Sequence, residues 1–316
     1  MKPTTLLVRV LKASPRLANL LAHLVERRPK GRAARFLAAN DLLPDLITVE
    51  VGGNAFSMHT RNPTCLIARS IWLNGPLSYE PPLPELMVNL VRDTAGDVVV
   101  VGANTGFYAL LAAATGIKVV AYEPSRSVLA RLRANIKASG LEEQITVRPV
   151  AVADTAGTAT LYEPKLALAN TLDSSASLDA TFKREHSGSY TVPVVRLDDD
   201  LERPIGILLV DAEGLEYAVL NGARRTLAES RPIVIVEVTD HDAHLIEEFA
   251  QAQHYRIHEW RSGELVPIEH IVAPAGAALV NHSDTRSNYW ITFLLPNDMR
   301  PVKHHQIGGD RSDPQR

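Results

Sequence analysis

Val98-Val99-Val100-Val101-Gly102-Ala103-Asn104-Thr105-Gly106-Phe107-Tyr108 is the stretch on which the fold turns. Four consecutive valines read as a strand covered on both faces, the pattern of a parallel sheet. A glycine ends the strand, and a second glycine opens an apolar helical segment over 107–114. Gly102 permits a turn with positive φ, and Gly106 is expected to let the backbone approach a ligand. The helix start beyond them offers unpaired N–H groups. The whole reads as a loop for a nucleotide-like cofactor.

Outward from this loop the chain alternates strands and helices. Strands are expected at 98–101, 118–122, 145–152, 191–195, 205–210 and 232–238, and helices at 125–139, 215–229 and 242–253. Gly140 closes the first of these helices. A β-rich end follows at 254–260, 264–268 and 288–295, and 155–190 reads as irregular. This rhythm predicts an α/β fold, a Rossmann-like, doubly wound and mostly parallel sheet. Upstream, Gly52-Gly53-Asn54 between two alternating segments reads as a hairpin turn. A helix is expected at 84–93. Leu17, Leu20, Leu21 and Leu24 define a basic amphipathic helix at 16–28, read as docking onto the protein. The expected organisation is a helical and hairpin extension over 1–95, a cofactor-binding domain over 96–296 and a disordered tail over 297–316.

Composition narrows the function classes. The 316 residues are 46% apolar and 22% charged, ordinary for a globular protein. A net charge of −3 argues against a nucleic-acid binder. Residues 1–35 nevertheless hold nine Lys/Arg against Glu26 alone, while the remainder has 24 basic and 35 acidic residues. A weak contact of this basic N-terminus with a membrane surface is the one membrane role expected. No apolar run approaches the ~20 residues of a membrane span, and the N-terminus lacks the pattern of a secretory signal. Cys65 stands alone, which excludes an intrachain disulfide and a Cys-rich zinc site. A cytoplasmic location is expected.

In a doubly wound sheet, ligands lie beyond the carboxyl ends of the strands where strand order reverses. That places function at 102–106, Glu123, 211–216 and 239–241. The dinucleotide fingerprint G-x-G-x-x-G needs its middle glycine for close approach of pyrophosphate. Asn104 stands there instead, which favours a cofactor without phosphate, S-adenosylmethionine (SAM). Glu123 ends an apolar strand, where a carboxylate can accept from both ribose hydroxyls of SAM or NAD. Gly102, Ala103, Asn104, Gly106, Glu123 and Pro124 are the candidate cofactor-binding residues.

Asp211, Glu213 and Glu216 put three carboxylates at the end of strand 205–210. They could remove a proton from an alcohol, face a sulfonium, or ligate a metal. Asp211 reads equally as a helix cap. Glu213, beside Gly214, reads as functional, and Glu216 as favouring a helix start. His241 is a further candidate base, although Thr239-Asp240-His241-Asp242 also resembles a helix start. The candidate catalytic residues are therefore Asp211, Glu213 and His241. Asp198-Asp199-Asp200 reads as a turn or cap, His304-His305 as tail, and no metal site is assigned. Segment 170–177 reads as either a substrate loop or an ordinary surface loop.

Read in order, Val101-Gly102-Ala103-Asn104-Thr105-Gly106-Phe107-Tyr108, Tyr122-Glu123-Pro124, Leu197-Asp198-Asp199, Val210-Asp211-Ala212-Glu213-Gly214-Leu215-Glu216, Val219-Leu220-Asn221-Gly222-Ala223 and Ile235-Val236-Glu237-Val238 resemble the FkbM family of SAM-dependent methyltransferases. Tyr79-Glu80-Pro81 also looks like a segment these proteins often carry. The resemblance implies a class I methyltransferase fold, a seven-stranded sheet with the last strand antiparallel, and O-methylation of a sugar, glycolipid or glycosylated natural product. It departs from the family at Val100, where Asp is usual, and at Leu209, where Lys is common. Two other readings remain at this point. One is a non-catalytic SAM-binding or scaffolding protein; the other is an NAD-linked oxidoreductase, which Asn104 disfavours.

Overall fold

The computed structural model describes residues 32–40, 42–61, 63–165, 171–172, 176–181, 185–239, 242–261, 263–271 and 289–299, with positions 8, 11, 14, 17 and 21 before them. Among these, strands β1 (Leu46–Val51) and β2 (Asn54–His59) form a hairpin, and β3 (Thr64–Cys65) follows. Next come β4 (Asp97–Val101), β5 (Val119–Tyr122), β6 (Ile145–Arg148), β7 (Ala151–Val152), β8 (Gly157–Pro164) and β9 (Thr171–Leu172). The remainder are β10 (His186–Val195), β11 (Ile205–Val210), β12 (Ile233–Thr239), β13 (Tyr255–Arg261), β14 (Glu264–Ile268) and β15 (Tyr289–Pro296).

The central sheet runs β14-β13-β15-β12-β11-β4-β5-β6. Strands β12, β11, β4, β5 and β6 are parallel, and β15 runs antiparallel between β12 and β13. The expected seven strands with an antiparallel last member are present, and β14 adds an eighth at the edge. The chain grows from β4 through β5 to β6 on one side, then resumes with β11 and β12 on the other. Strand order therefore reverses between β4 and β11, and a crevice opens beyond their carboxyl ends.

Period-two alternation sends the two faces of each central strand to different cores. Val98, Val100, Ala121, Leu209 and Ile235 pack on one face against helices Phe107–Ala113 and Leu83–Asp93 and the β1–β2 hairpin. Val99, Val101, Leu208, Val210 and Val234 pack on the other against helices Glu216–Asn221, Arg224–Ser230 and Ala243–Ala252. The upstream residues share the first core with the sheet. The hairpin turn is two residues long, Gly52 and Gly53 at φ +57° and +78°, with Asn54 already paired to Val51. Of the amphipathic segment 16–28, Leu17 and Leu21 are described, both helical; Leu21 packs on the core, whereas Leu17 is exposed.

Three sequence expectations need correction. The strand expected at 145–152 is split: β6 stays in the central sheet, while β7 leaves it to pair with β10. The irregular 155–190 contains β8 and the start of β10, which pair antiparallel in a second sheet ordered β7-β10-β8. β8 buries only Leu161 and Pro164, and β10 buries nothing before Val192, so no apolar alternation marks this stretch. The helix expected at 215–229 breaks at Gly222, where a Cβ would lie 2.3 Å from the Ala153 carbonyl oxygen. Close approach of β7's exit to the helix thus requires glycine. At the C-terminal end, Met299 packs against the core, so ordered structure continues past residue 297; residues 300–316 lie outside the described set.

Candidate functional site

The glycine-rich loop is held by both strands flanking it. Gly102 and Ala103 both donate their backbone N–H groups to the Tyr122 carbonyl, at 3.0 and 2.9 Å. Gly102 has φ +77°, and a Cβ there would sit 1.7 Å from the Asp211 carbonyl oxygen. The two strand ends are in contact at this point, so only glycine fits. Gly106 has a different role from the one expected. Its φ is +101°, but its missing Cβ faces Leu132 Cδ1 at 2.7 Å and Leu110, not the crevice. It lets the first helix pack closely against helix Arg126–Ser139. Asn104 takes the left-handed conformation at φ +55°, and its Oδ1 accepts from Thr105 N–H.

Glu123 is 4% exposed and closes the loop from below. Its two carboxylate oxygens accept from Asn104 N–H at 2.9 Å and Ser125 N–H at 2.8 Å. Burial pushes its carboxyl up to about 7, opposed by those hydrogen bonds. A carboxylate offers about four acceptor positions, so these amides leave it capacity for a ligand's hydroxyls. Beside it lies an open cleft of about 530 Å³, lined by Gly102, Asn104, Glu123, Pro124, Asp211 and Glu213 among others. Val152, Leu161 and Leu178 give it an apolar wall supplied by the second sheet and the segment after it.

The far end of the cleft is acidic. The loop after β11 is strained, with Glu213 at φ +52° and Gly214 at φ +94°. The Ser177 hydroxyl donates to the Glu213 carbonyl at 2.7 Å and holds the loop from above. Segment 170–177 is thus tied to the crevice at its end, and much of the rest lies outside the described residues. Helix Glu216–Asn221 starts after Leu215, whose own side chain makes no cap. Glu216, 1% exposed, turns its carboxylate back onto Ala212 and Gly214 N–H groups. Its oxygens stabilise the loop, in keeping with a structural part. His241 lies outside the described residues. Asp198 accepts from Arg225 and Thr226 N–H groups and caps helix Arg224–Ser230, as its sequence suggested.

Three groups that the sequence reading quoted without a role also converge here. Glu237 continues the face of Ile233 and Ile235 to the end of β12, an acid where alternation calls for an apolar residue. Glu80 arrives from the extension and accepts from the Tyr108 hydroxyl at 2.7 Å. Tyr79 stands beside it in the chain, and its ring packs edge-on against Phe107 and tilted against Tyr108. Oxygens of Asp211, Glu216 and Glu237 lie within 4.8 Å of one another. Burial raises Glu80 and Glu216 to about 7, and Asp211 repels both. Burial followed by repulsion from Asp211, Glu213, Glu216 and Glu80 raises Glu237 well above the ordinary carboxylate value. A pocket of this character favours a ligand with positive charge.

The extension is stitched to the cofactor loop. His59 N–H donates to Asn135 Oδ1 at 2.8 Å, and Asn135 Nδ2 donates to the Thr105 carbonyl at 2.7 Å. Arg131 donates to the carbonyls of Arg61 and Pro63. Val100 and Leu209, the two departures from the family pattern, are register partners inside the first core.

Among curated proteins none matches the chain. Among solved structures it is similar to a methyltransferase FkbM from Methylobacillus flagellatus KT, with 16% identity, a TM-score of 0.39 and coverage of 72% of this chain and 54% of that one. The chain thus spans about half the length of that protein. It is also similar to a SAM-dependent O-methyltransferase from Thermotoga maritima, with 14% identity, a TM-score of 0.36 and coverage of 68% and 65%. An rRNA methylase from Streptococcus thermophilus has 11% identity, a TM-score of 0.38 and coverage of 69% and 98%. A family model described as the methyltransferase FkbM domain matches residues 101–257, which span the glycine loop, Glu123 and the carboxylates after β11 and in β12. Through this domain the chain belongs to the FkbM methyltransferase family.

Proposed function

We propose that the protein transfers a methyl group from SAM to a hydroxyl of a sugar, glycolipid or glycosylated natural product. The observation that carries this reading is the continuity of one cleft from Glu123 to Asp211 and Glu213. Its donor set fits the cofactor. Glu123 would accept from the ribose hydroxyls, and the apolar wall of Val152, Leu161 and Leu178 would flank the adenine. Asn104 removes the room that a pyrophosphate needs.

When bound, SAM supplies a methyl carbon already activated by the positive sulfur, so alignment and proton removal fall to the protein. Asp211 and Glu213 line the acidic end, where their charge stabilises a cation and favours its approach. Glu216 keeps their loop in shape. Gly102 fixes the distance between the loop and Asp211. Among the described residues no helix is long and apolar enough to cross a membrane, and we place the reaction in the cytoplasm with a small-molecule or glycan acceptor. Contact of the basic N-terminus with a membrane surface fits a glycolipid acceptor.

The test is transfer of labelled methyl from SAM to a glycan and glycoside panel by wild type, Asp211→Asn and Glu213→Gln. Loss of a carboxylate that steadies the positive sulfur lowers turnover, whereas loss of a cap costs about 1 kcal/mol of stability. At least one amide variant is expected to lose turnover at saturating SAM while keeping its Tm. Near-normal turnover by both would remove these residues from the chemistry. Turnover restored by Mg²⁺ would favour a metal-ligand role.

A further inference from the structure

Glu80 comes from outside the methyltransferase domain, between the turn Pro76–Ser78 and helix Leu83–Asp93, and lies close enough to Asp211 at the cleft's acidic end to be repelled by it. Its backbone has φ +45°, a conformation that a non-glycine residue keeps only where its surroundings hold it. Here the Tyr108 hydroxyl donates to Glu80 Oε2 at 2.7 Å, and the Tyr79 ring packs against Phe107 and Tyr108. Tyr108 sits in the first turn of the helix that follows Gly106. Glu80 is thereby tied to the element that ends the cofactor loop, and it keeps partial access to solvent.

We propose that Glu80 is the general base for the methyl acceptor, with Tyr108 as its positioning residue. The assignment rests on the alcohol-methylating reading above. The acceptor's O–H proton passes to a Glu80 oxygen as the acceptor oxygen bonds to the methyl carbon. The carbon–sulfur bond breaks and its electron pair stays on sulfur, so charge and atoms balance.

The neighbouring carboxylates are committed elsewhere. Glu216 is occupied by backbone N–H groups. Glu237 is crowded by Asp211, Glu213, Glu216 and Glu80, and burial with that repulsion raises it well above the ordinary carboxylate value. Asp211 and Glu213 line the cofactor cleft. The groups facing Glu80 are Tyr79 on its own segment, Tyr108 from the helix, Asp211 from the end of β11 and Glu237 from β12. Burial and Asp211 raise Glu80 to about 7 while the two tyrosines oppose the rise; a base is most effective with its pKa near the working pH.

The experiment measures labelled methyl transfer from SAM to the methyl glycosides of glucose, galactose, mannose and rhamnose across pH 5.5–9. Wild type, Glu80→Gln and Tyr108→Phe are compared, with S-adenosylhomocysteine affinity and Tm measured in parallel. Glu80→Gln is expected to lower kcat by about 10²–10⁴-fold with product affinity unchanged. Tyr108→Phe removes a donor to the ionised carboxylate, so the acid limb of the rate profile should move to higher pH. A merely structural bond would leave that limb in place. Wild-type rates in Glu80→Gln, or an unmoved limb in Tyr108→Phe, overturn the assignment while leaving the proposed function standing. If Glu80→Gln does not fold, the limb in Tyr108→Phe decides. No transfer by wild type overturns the alcohol reading and this assignment with it.

Discussion

Val100 on β4 and Leu209 on β11 are register partners in adjacent parallel strands, 1% and 4% exposed. The two positions at which the chain lacks the charged residues usual in its family are therefore one location. Replacing a buried ion pair by packed apolar residues is often neutral or stabilising, whereas one buried charge without its partner is costly.

Val100→Asp alone should destabilise the protein by about 3–5 kcal/mol, the cost of an uncompensated buried charge. Adding Leu209→Lys should recover part of the loss, with a coupling of about 0.5–3 kcal/mol between contacting residues. Denaturant unfolding of both single variants and the double variant closes the cycle. Strict additivity would show that the positions do not communicate.

Gly102 and Gly106 should respond differently to alanine. A Cβ at residue 102 meets the backbone of Asp211 at 1.7 Å, and neither strand end can move without opening the sheet. Gly102→Ala should abolish cofactor binding or folding. At residue 106 the obstacle is the flexible end of Leu132 at 2.7 Å. That variant should fold with a loss of about 1–3 kcal/mol, the cost of backbone strain. Circular dichroism melts separate the outcomes, and equal tolerance of both would contradict the contact between the strand ends.

Stability should fall as pH rises from about 5 to 8 in the cofactor-free protein. Glu80, Glu123 and Glu216 each have a folded pKa of about 7 against an ordinary 4.5. Across that interval the folded protein holds protons that the unfolded chain has released, so stability decreases with pH. Tm measured at pH 5.5 should exceed that at pH 8. A rise in Tm over the same range would mean that these carboxyls ionise normally.

Much of the sheet was legible because Val98–Val101, Ile207–Val210 and Ile233–Val236 are continuous apolar runs ended by glycine or an acid. The loop and Glu123 were legible because they interrupt such runs at their carboxyl ends. Most of the second sheet was not, since β8 buries only Leu161 and Pro164 and β10 buries nothing before Val192; only the end of β10, where Val192 and Val194 are buried beside exposed Thr191 and Pro193, was legible. Gly106 was misread because sequence shows where the backbone needs freedom but not which neighbour requires it. Glu80 lies far from the carboxylates of β11 in sequence, and only the packing of the extension against the Phe107–Ala113 helix brings it to them. Glu237 did carry a signal, an acid in phase with Ile233 and Ile235.

Calorimetric titration of the purified protein with SAM, S-adenosylhomocysteine and NAD, repeated on Glu123→Ala, tests the cofactor assignment most directly. The structure predicts binding of SAM or S-adenosylhomocysteine in preference to NAD. Hydrogen bonds to a charged group contribute roughly 1.5–3 kcal/mol, so Glu123→Ala should weaken binding by about 10- to 150-fold. Tight NAD binding with no detectable SAM binding, or unchanged SAM affinity in folded Glu123→Ala, would contradict the account.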